Sequence, residues 1–340
     1  ADAGAVGGAG LLAAAGAMLG AADVWLDGRI RLRWLGPDRG CGIVAVEPIA
    51  AGEVLLKGTA CPSSVFSSEF AYPWETASFA AFCEGIEQEP GSGGEGSARL
   101  AIKLALLLVR LERLGGVDAP ECSALEGYIA ACPLADEAPA QWPAEAVQAL
   151  GPSALRVQVE TEAAEMLQEG ERLLALLPPD ALRPAPSRDE FARAFRRAYA
   201  LVSTRGFATG TPLGALLCPV LDFLNHAAKG DANGGYSFGD SDFRLEATRP
   251  VPAGAEILVC YDADADFLEL WARYGFFDGT ARIHTAEITA VPPGAPAGEP
   301  AGHHWIPDAA SPLACPLLEA LAEAEAGDEA GGAGARAPPG

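Results

Sequence analysis

"CPVLDFLNHAA", residues 218–228, carries an apolar run straight into Asn225 and His226. Two side chains crowded with hydrogen-bonding groups are costly to bury unless a partner satisfies them, and the chain has only four histidines. Pro219 and the surrounding Val220, Leu221, Phe223 and Leu224 read as a strand end. Asp222 and His226 have the i, i+4 spacing that would put two metal ligands on one helical face. A strand does not present them that way, no third ligand follows nearby, and His303-His304 lies in a proline-rich tail. The stretch is therefore read without a metal.

Upstream, "GRIRLRWL" (28–35) alternates Ile30, Leu32 and Trp34 with Arg29, Arg31 and Arg33, the period of a strand with one buried face. A turn at "GPDRGCG" (36–42) and the β-rich pieces "IVAVEPI" (43–49) and "EVLL" (53–56) complete a small β module. From about residue 62 to 200 the pattern is helical. "ARLAIKLALLLVRLERLGG" (98–116) is long enough for a buried helix with a Gly-Gly stop, and "EQEPGSGGEGS" (87–97) before it reads as a flexible loop. In "PSRDEFARAFRRAYALV" (186–202), Ser187 and Glu190 have capping-box spacing, and Phe191, Phe195, Tyr199 and Val202 share a face.

Strand patterns return in "ALLCPVLDFL" (215–224), "YSF" (236–238), "FRLEAT" (243–248) and "EILVCYD" (256–262), with turns at "NGG" (233–235) and "PAGAE" (252–256). The units "PIAAGEVLL" (48–56) and "PVPAGAEILV" (250–259) echo each other, which common turn chemistry explains without a repeat. Residues 1–22 form a low-complexity Ala/Gly segment; residues 281–340 are rich in Pro, Gly, Ala and acidic residues, and 326–340 read as disordered. The outline is α+β: a β fold over 23–280 interrupted by a mainly helical insertion.

A chain of 340 residues can bury a substantial core. Its net charge of −23, with 23 basic residues, argues against a nucleic-acid groove, which needs clustered Lys and Arg. Eight cysteines are scattered without a C-x-x-C pair, several inside apolar runs, as in an intracellular protein with reduced thiols. The greasiest run, "LALLLV" (104–109), is flanked by Lys103 and Arg110, so no membrane span is expected, and residues 1–20 lack the basic leader of a secretory signal. There is no G-x-S-x-G elbow, and "RGCG" (39–42) lacks the Lys-Ser/Thr of a phosphate loop.

In order along the chain, "DRGCGIVAVEPIAAGEVLL" (38–56), "SALEGYIAACP" (123–133), "FARAFRRAYALVSTRGF" (191–207), "LLCPVLDFLNHA" (216–227) and "VPAGAEILVCYDADADFLELWARYGFF" (251–277) resemble the SET-domain protein methyltransferases. The branch they resemble is typified by the Rubisco large-subunit lysine methyltransferases, in which a helical insertion splits the SET domain. The likeness covers roughly residues 25–280, and its specific parts are the Asn-His pair and the Tyr…Tyr-Gly-Phe segment at the right separation.

The resemblance implies a knot-like active site that binds S-adenosyl-L-methionine and no metal. Gly40, Cys41 and Gly42 would let the main chain approach that cofactor, since glycine has no Cβ to obstruct it. Arg205 would meet the methionine carboxylate with its guanidinium fork. The Asn225 amide and main chain near His226 would hold the ammonium and adenine portions, with His226 buttressing the knot, and Asp222 and Phe223 would line the pocket through backbone contacts. Tyr261 would act in catalysis and border the cofactor, orienting the acceptor amine and surrounding the methyl with oxygen. Tyr274 and Phe276 would wall the substrate channel, where aromatic rings suit an apolar stem with a cationic head.

The implied reaction is methyl transfer to a lysine of a protein substrate, with transfer to histidine or a non-catalytic adaptor as alternatives. Phe267 stands where the family often has Asn. Where the family usually continues into a sizeable helical substrate-binding domain, the sequence has residues 281–340, of which "PLLEALAEAEA" (316–326) would supply one helix of such a domain, and the zinc-binding cysteine cluster of some histone-directed relatives is not among its cysteines. Chloroplast, cytosol and nucleus are not distinguished, nor is oligomeric state.

Overall fold

A computed structural model of the chain describes residues 3–21, 23–36, 39–86, 96–114, 123–132, 138–151, 153–263, 267–276, 284–286 and 304–306. Residues 1–263 with 271–276 form one compact unit, and residues 264–270 with 277–340 form a second. Of the second, the described elements include a two-stranded antiparallel ladder that pairs His284 with Ile306 and Ala286 with His304. The expected disorder of 326–340, the helix at 316–326 and most of the loop at 87–97 lie outside the described residues.

Helix α1 (Ala3–Ala21) opens the first unit. Its composition reads only as low complexity, yet alanine is the best helix former, and Leu11, Ala15 and Met18 are buried in the core. Strands β1 (Val24–Leu26), β2 (Ile30–Trp34), β3 (Cys41–Ala45), β4 (Val54–Thr59) and β5 (Phe66–Ser67) follow. In β2, Ile30 is fully buried while Arg31 and Arg33 are exposed, as the alternation predicts.

The helical stretch comprises α2 (Ala77–Ile86), α3 (Ser97–Arg113), α4 (Ala124–Ala131), α5 (Ala144–Ala149), α6 (Ala154–Leu176) and α7 (Arg188–Arg205). Along α3, Arg99 to Val109 are buried without a polar face, so it forms the axis of the core and packs on α7. Its two buried cations are both paired: Arg99 with Glu69 at 2.9 Å, and Lys103 with Glu75 at 3.2 Å. The α7 capping box forms as its spacing predicts, with Ser187 Oγ accepting from the Glu190 N–H and Glu190 from the Ser187 N–H.

After α7 come β6 (Gly206–Ala208), β7 (Ala215–Leu217), β8 (Asn225–His226), β9 (Gly234–Phe238), β10 (Asp242–Ala247) and β11 (Leu258–Val259), then helix α8 (Phe267–Tyr274). Strands β1, β4, β10 and β9 make an antiparallel sheet in that order; β5, β7 and β6 make a second, β2 and β3 a third. The two echoing turn units meet. Ile49 and Val251 form an antiparallel bridge, and Gly52 and Gly254 each take φ +83°, the left-handed turn position that favours glycine.

One expectation fails at 215–224, which does not run as a strand. Pro219 cannot donate to a ladder, β7 stops at Leu217, and Val220 takes φ 75° before a 3₁₀ turn over Leu221–Phe223. A β-branched residue at positive φ is strained, and the turn is closed by the Asp222 N–H on the Cys218 carbonyl at 3.1 Å. It lets the chain reverse into β8 directly beside the site.

Candidate active site

Strand β8 pairs in parallel with β11, Asn225 opposite Leu258 and His226 opposite Val259. That register returns Tyr261 to His226: the Tyr261 N–H donates to His226 Nδ1 at 3.1 Å, and the rings lie 5.2 Å apart. His226 thus carries its ring proton on Nε2 and braces the crossing. The Tyr261 hydroxyl donates to the Leu224 carbonyl at 2.6 Å. Burial pushes its pKa up, so the phenol keeps its proton at neutral pH.

Asn225 answers the question its sequence context poses. Its Nδ2 donates to Glu256 Oε1 at 2.7 Å and to the carbonyls of Arg39 and Cys41, each at 3.2 Å. These contacts fix the amide orientation and fasten β8 to the glycine turn, leaving Oδ1 as the side chain's acceptor. Glu256 also pairs with Arg39, so the turn is tied to this carboxylate directly at Arg39 and through Asn225 at Cys41.

The glycines differ in what they need. Gly40 has φ +61°, a left-handed backbone, but a Cβ there would meet nothing closer than 4.0 Å. At Gly42 a Cβ would stand 2.4 Å from Leu35 Cδ1 and 2.7 Å from Glu256 Oε1. Its missing side chain makes room for protein neighbours.

Beside this crossing lies a cavity of about 210 Å³. Arg205, Asp222, Tyr261 and Tyr274 are in its wall, with the aromatic rings of Phe207 and Tyr236. Phe207 and Tyr236 meet edge to face at 5.1 Å, and Tyr261 and Tyr274 are 4.9 Å apart. Phe276 sits 5.7 Å from His226 and 6.3 Å from Tyr261. Asn225 on β8 reaches the turn of Gly40, Cys41 and Gly42 through its bond to the Cys41 carbonyl.

Asp222 is in the cavity wall, as expected, with its side chain turned inward, whereas Phe223 is not in that wall. Phe223 is 1% exposed, and its ring packs edge-on against Tyr128, away from the cavity. The Asp222 side chain, also 1% exposed, points into the protein, accepting from the Tyr128 hydroxyl at 2.5 Å and facing Arg205 Nη1 at 3.5 Å. The 3₁₀ turn that replaces the expected strand turns both side chains inward. Burial raises the Asp222 pKa, against the opposing pull of Arg205 and the Tyr128 hydroxyl.

Phe207, Tyr236, Tyr128 and Glu256 escape the sequence reading. Phe207 follows Arg205 closely, and Tyr236 shares a strand face with Phe238, signals that are present but indistinguishable from core packing. Among the described residues no three His, Cys, Asp or Glu side chains group as a metal set, and no helix is long and apolar enough to cross a membrane.

A family model described as the SET domain matches residues 40–262. The chain belongs to the SET-domain family. No curated protein sequence matches it. Among solved structures, that of Rubisco LSMT bound to AdoMet aligns with a TM-score of 0.60 at 17% identity, over 81% of this chain and 59% of that one. Rubisco LSMT bound to sinefungin and monomethyllysine gives 0.61 at 18% identity, over 81% and 59%. The SET domain of LSMT bound to methyllysine and AdoHcy gives 0.59 at 19%, over 77% and 56%. The chain therefore spans under two thirds of the length of these structures and shares their fold. The SET match takes in the glycine turn, Arg205, β8 and Tyr261, while Tyr274 and Phe276 lie just past it.

Proposed function

We propose that this SET-domain chain transfers a methyl group from S-adenosylmethionine to the side-chain amine of a lysine in a protein substrate. The observation that carries the reading is the Tyr261 hydroxyl at a cavity walled by a guanidinium and aromatic rings. Its proton is committed to the Leu224 carbonyl, so the oxygen presents lone pairs to the cavity. A neutral phenol in that state is an acceptor for amine N–H and methyl C–H groups and not a base.

The residues suit the cofactor. Arg205 supplies a guanidinium for a carboxylate, and Asn225 Oδ1, on the strand fastened to the glycine turn, an acceptor for an ammonium. When bound, S-adenosylmethionine supplies an electrophilic methyl on a sulfonium. Phe207, Tyr236 and Tyr274 would pack the aliphatic stem of lysine and favour its cationic head on entry. A desolvated cavity lowers the pKa of an amine, so the acceptor loses its proton without a dedicated base. The solved SET structures of similar fold contain AdoMet, AdoHcy, lysine-derived ligands or sinefungin, which supports the pairing of donor and acceptor.

Free lysine and free histidine, titrated separately into the protein saturated with S-adenosylhomocysteine, test the acceptor. Lysine seated against Tyr261 is expected. Histidine in its place would make the chain a histidine methyltransferase, and exclusion of both would favour a non-catalytic adaptor.

A further inference from the structure

Tyr274 reaches the cavity wall at the end of α8, 4.9 Å from the Tyr261 ring. What seats that end of the helix is an apolar cluster separate from the main core. Trp271 and Ala272, 4% and 2% exposed, pack with Val147 of α5 and Val159 of α6, and the partly buried Trp142 and Leu150 close against them. The rings of Trp142 and Trp271 meet edge to face, with centroids 5.4 Å apart. Every partner of α8 in this cluster belongs to the helical insertion.

Trp142 is itself anchored. It follows a 3₁₀ turn over Pro139–Gln141, and its N–H donates to the Pro139 carbonyl at 3.0 Å. Gln141 fastens that turn to α7: its Nε2 donates to the Arg196 carbonyl at 3.2 Å, and Arg196 Nε donates to its Oε1 at 3.3 Å. Trp271 and Tyr274 are three positions apart on α8, so their side chains are neighbours along one side of the helix. The seat of the first sets the place of the second. Arg273 Nε donates to the Ser203 carbonyl at 2.8 Å, its guanidinium carbon lies 5.3 Å from the Tyr274 ring centroid, and Gly275 turns the chain at φ +78°.

The Tyr261 side of the cavity is fixed otherwise, by the pairing of β8 with β11 and by the hydroxyl bond to Leu224. We propose that Trp142 is a positioning residue for the acceptor: by seating Trp271, it sets the distance between the Tyr274 and Tyr261 rings and so the width of the slot that takes the lysine stem. This rests on the reading that lysine is the acceptor and lies against those rings. Trp142 stands outside the cavity wall and acts through Trp271. An apolar stem is bound by contact on both its faces, and a gap of about 0.5–1 Å forfeits a quarter to a half of each such contact. The insertion thus governs acceptor affinity and leaves donor affinity to the other side of the site.

The test titrates free lysine into the full chain saturated with S-adenosylhomocysteine, and S-adenosylmethionine into the chain alone. The parent is compared with Trp142→Leu, Trp142→Phe, Tyr274→Leu and the double variant Trp142→Leu with Tyr274→Leu, each checked for folding by thermal melting. Trp142→Leu is expected to weaken lysine binding about tenfold with donor affinity changed less than about twofold, and Trp142→Phe, which keeps a ring against Trp271, to recover most of the loss. In the Tyr274→Leu background, Trp142→Leu is expected to change lysine affinity by less than about twofold, because the ring it positions is gone. Trp271→Phe reaches the same contact from α8 and is expected to give the same selective loss, which decides the matter even where Trp142→Leu is too unstable to assay. Unchanged lysine affinity, equal loss in both backgrounds, or donor affinity falling in step with lysine affinity would reduce Trp142 to packing and overturn the inference. Failure of the unsubstituted chain to bind lysine would instead overturn the acceptor reading on which the inference rests.

Discussion

The hydroxyl of Tyr261 and the carbonyl of Leu224, 37 positions apart in sequence, are joined by a hydrogen bond of 2.6 Å. The parallel pairing of β8 with β11 makes that contact, and it decides which face of the phenol oxygen meets the cavity. Tyr261→Phe keeps the ring among His226, Tyr274 and Phe276 while removing the oxygen. Methyl transfer is expected to slow about 100-fold, the order of loss for a misplaced reacting group, with S-adenosylmethionine affinity held within about threefold. Single-turnover transfer together with equilibrium binding checks the split.

Gly40→Ala and Gly42→Ala are expected to differ. At Gly40 the cost is the left-handed backbone alone, about 1–2 kcal/mol. At Gly42 the new methyl also collides with Leu35 and Glu256, and so displaces the carboxylate that holds Asn225 and Arg39. Urea midpoints should fall further for Gly42→Ala, and S-adenosylmethionine affinity should fall markedly only there.

Glu190 caps α7, the helix that ends at Arg205. Hydrogen bonds from Arg113, then from Ser187, hold its pKa down to about 2 from an ordinary 4.5. Its contribution is therefore fully present above 4.5 and is lost as pH falls toward 2. Glu190→Gln should be less stable than the parent at pH 7, and should lose less than the parent on acidification through that window, as read from urea midpoints across pH.

Lys103 on α3 and Glu75 pair at 3.2 Å, with side chains 5% and 4% exposed, and Lys103 also donates to the Phe70 carbonyl. Lys103→Met leaves a buried carboxyl whose pKa burial already raises. The expected loss is about 3–5 kcal/mol, and Lys103→Met with Glu75→Leu should regain most of it. Chemical denaturation of the single and double variants measures both.

Much of this architecture is legible in the residues. The alternation in β2, the capping box of α7 and the apolar length of α3 are local patterns, and local patterns survive into the fold. Segment 215–224 is less legible, because its apolar residues are buried in either reading and only Pro219 hints that the strand must break. The site divides the same way. Arg205, Tyr261 and Tyr274 stand in motifs and reach the cavity wall. Tyr128 and Glu256 act through contacts with residues 94 and 31 positions away, which no periodicity encodes. Gly42 is legible as a required glycine, but what fills the space beside it is set by tertiary packing.

The central claim is tested most directly by incubating the protein and Tyr261→Phe with labelled S-adenosylmethionine and an unmethylated protein extract, then hydrolysing the product to amino acids. Label on methylated lysine, falling about 100-fold with Tyr261→Phe, is the predicted result. Label on histidine, or no label from a chain that binds the donor, would contradict it.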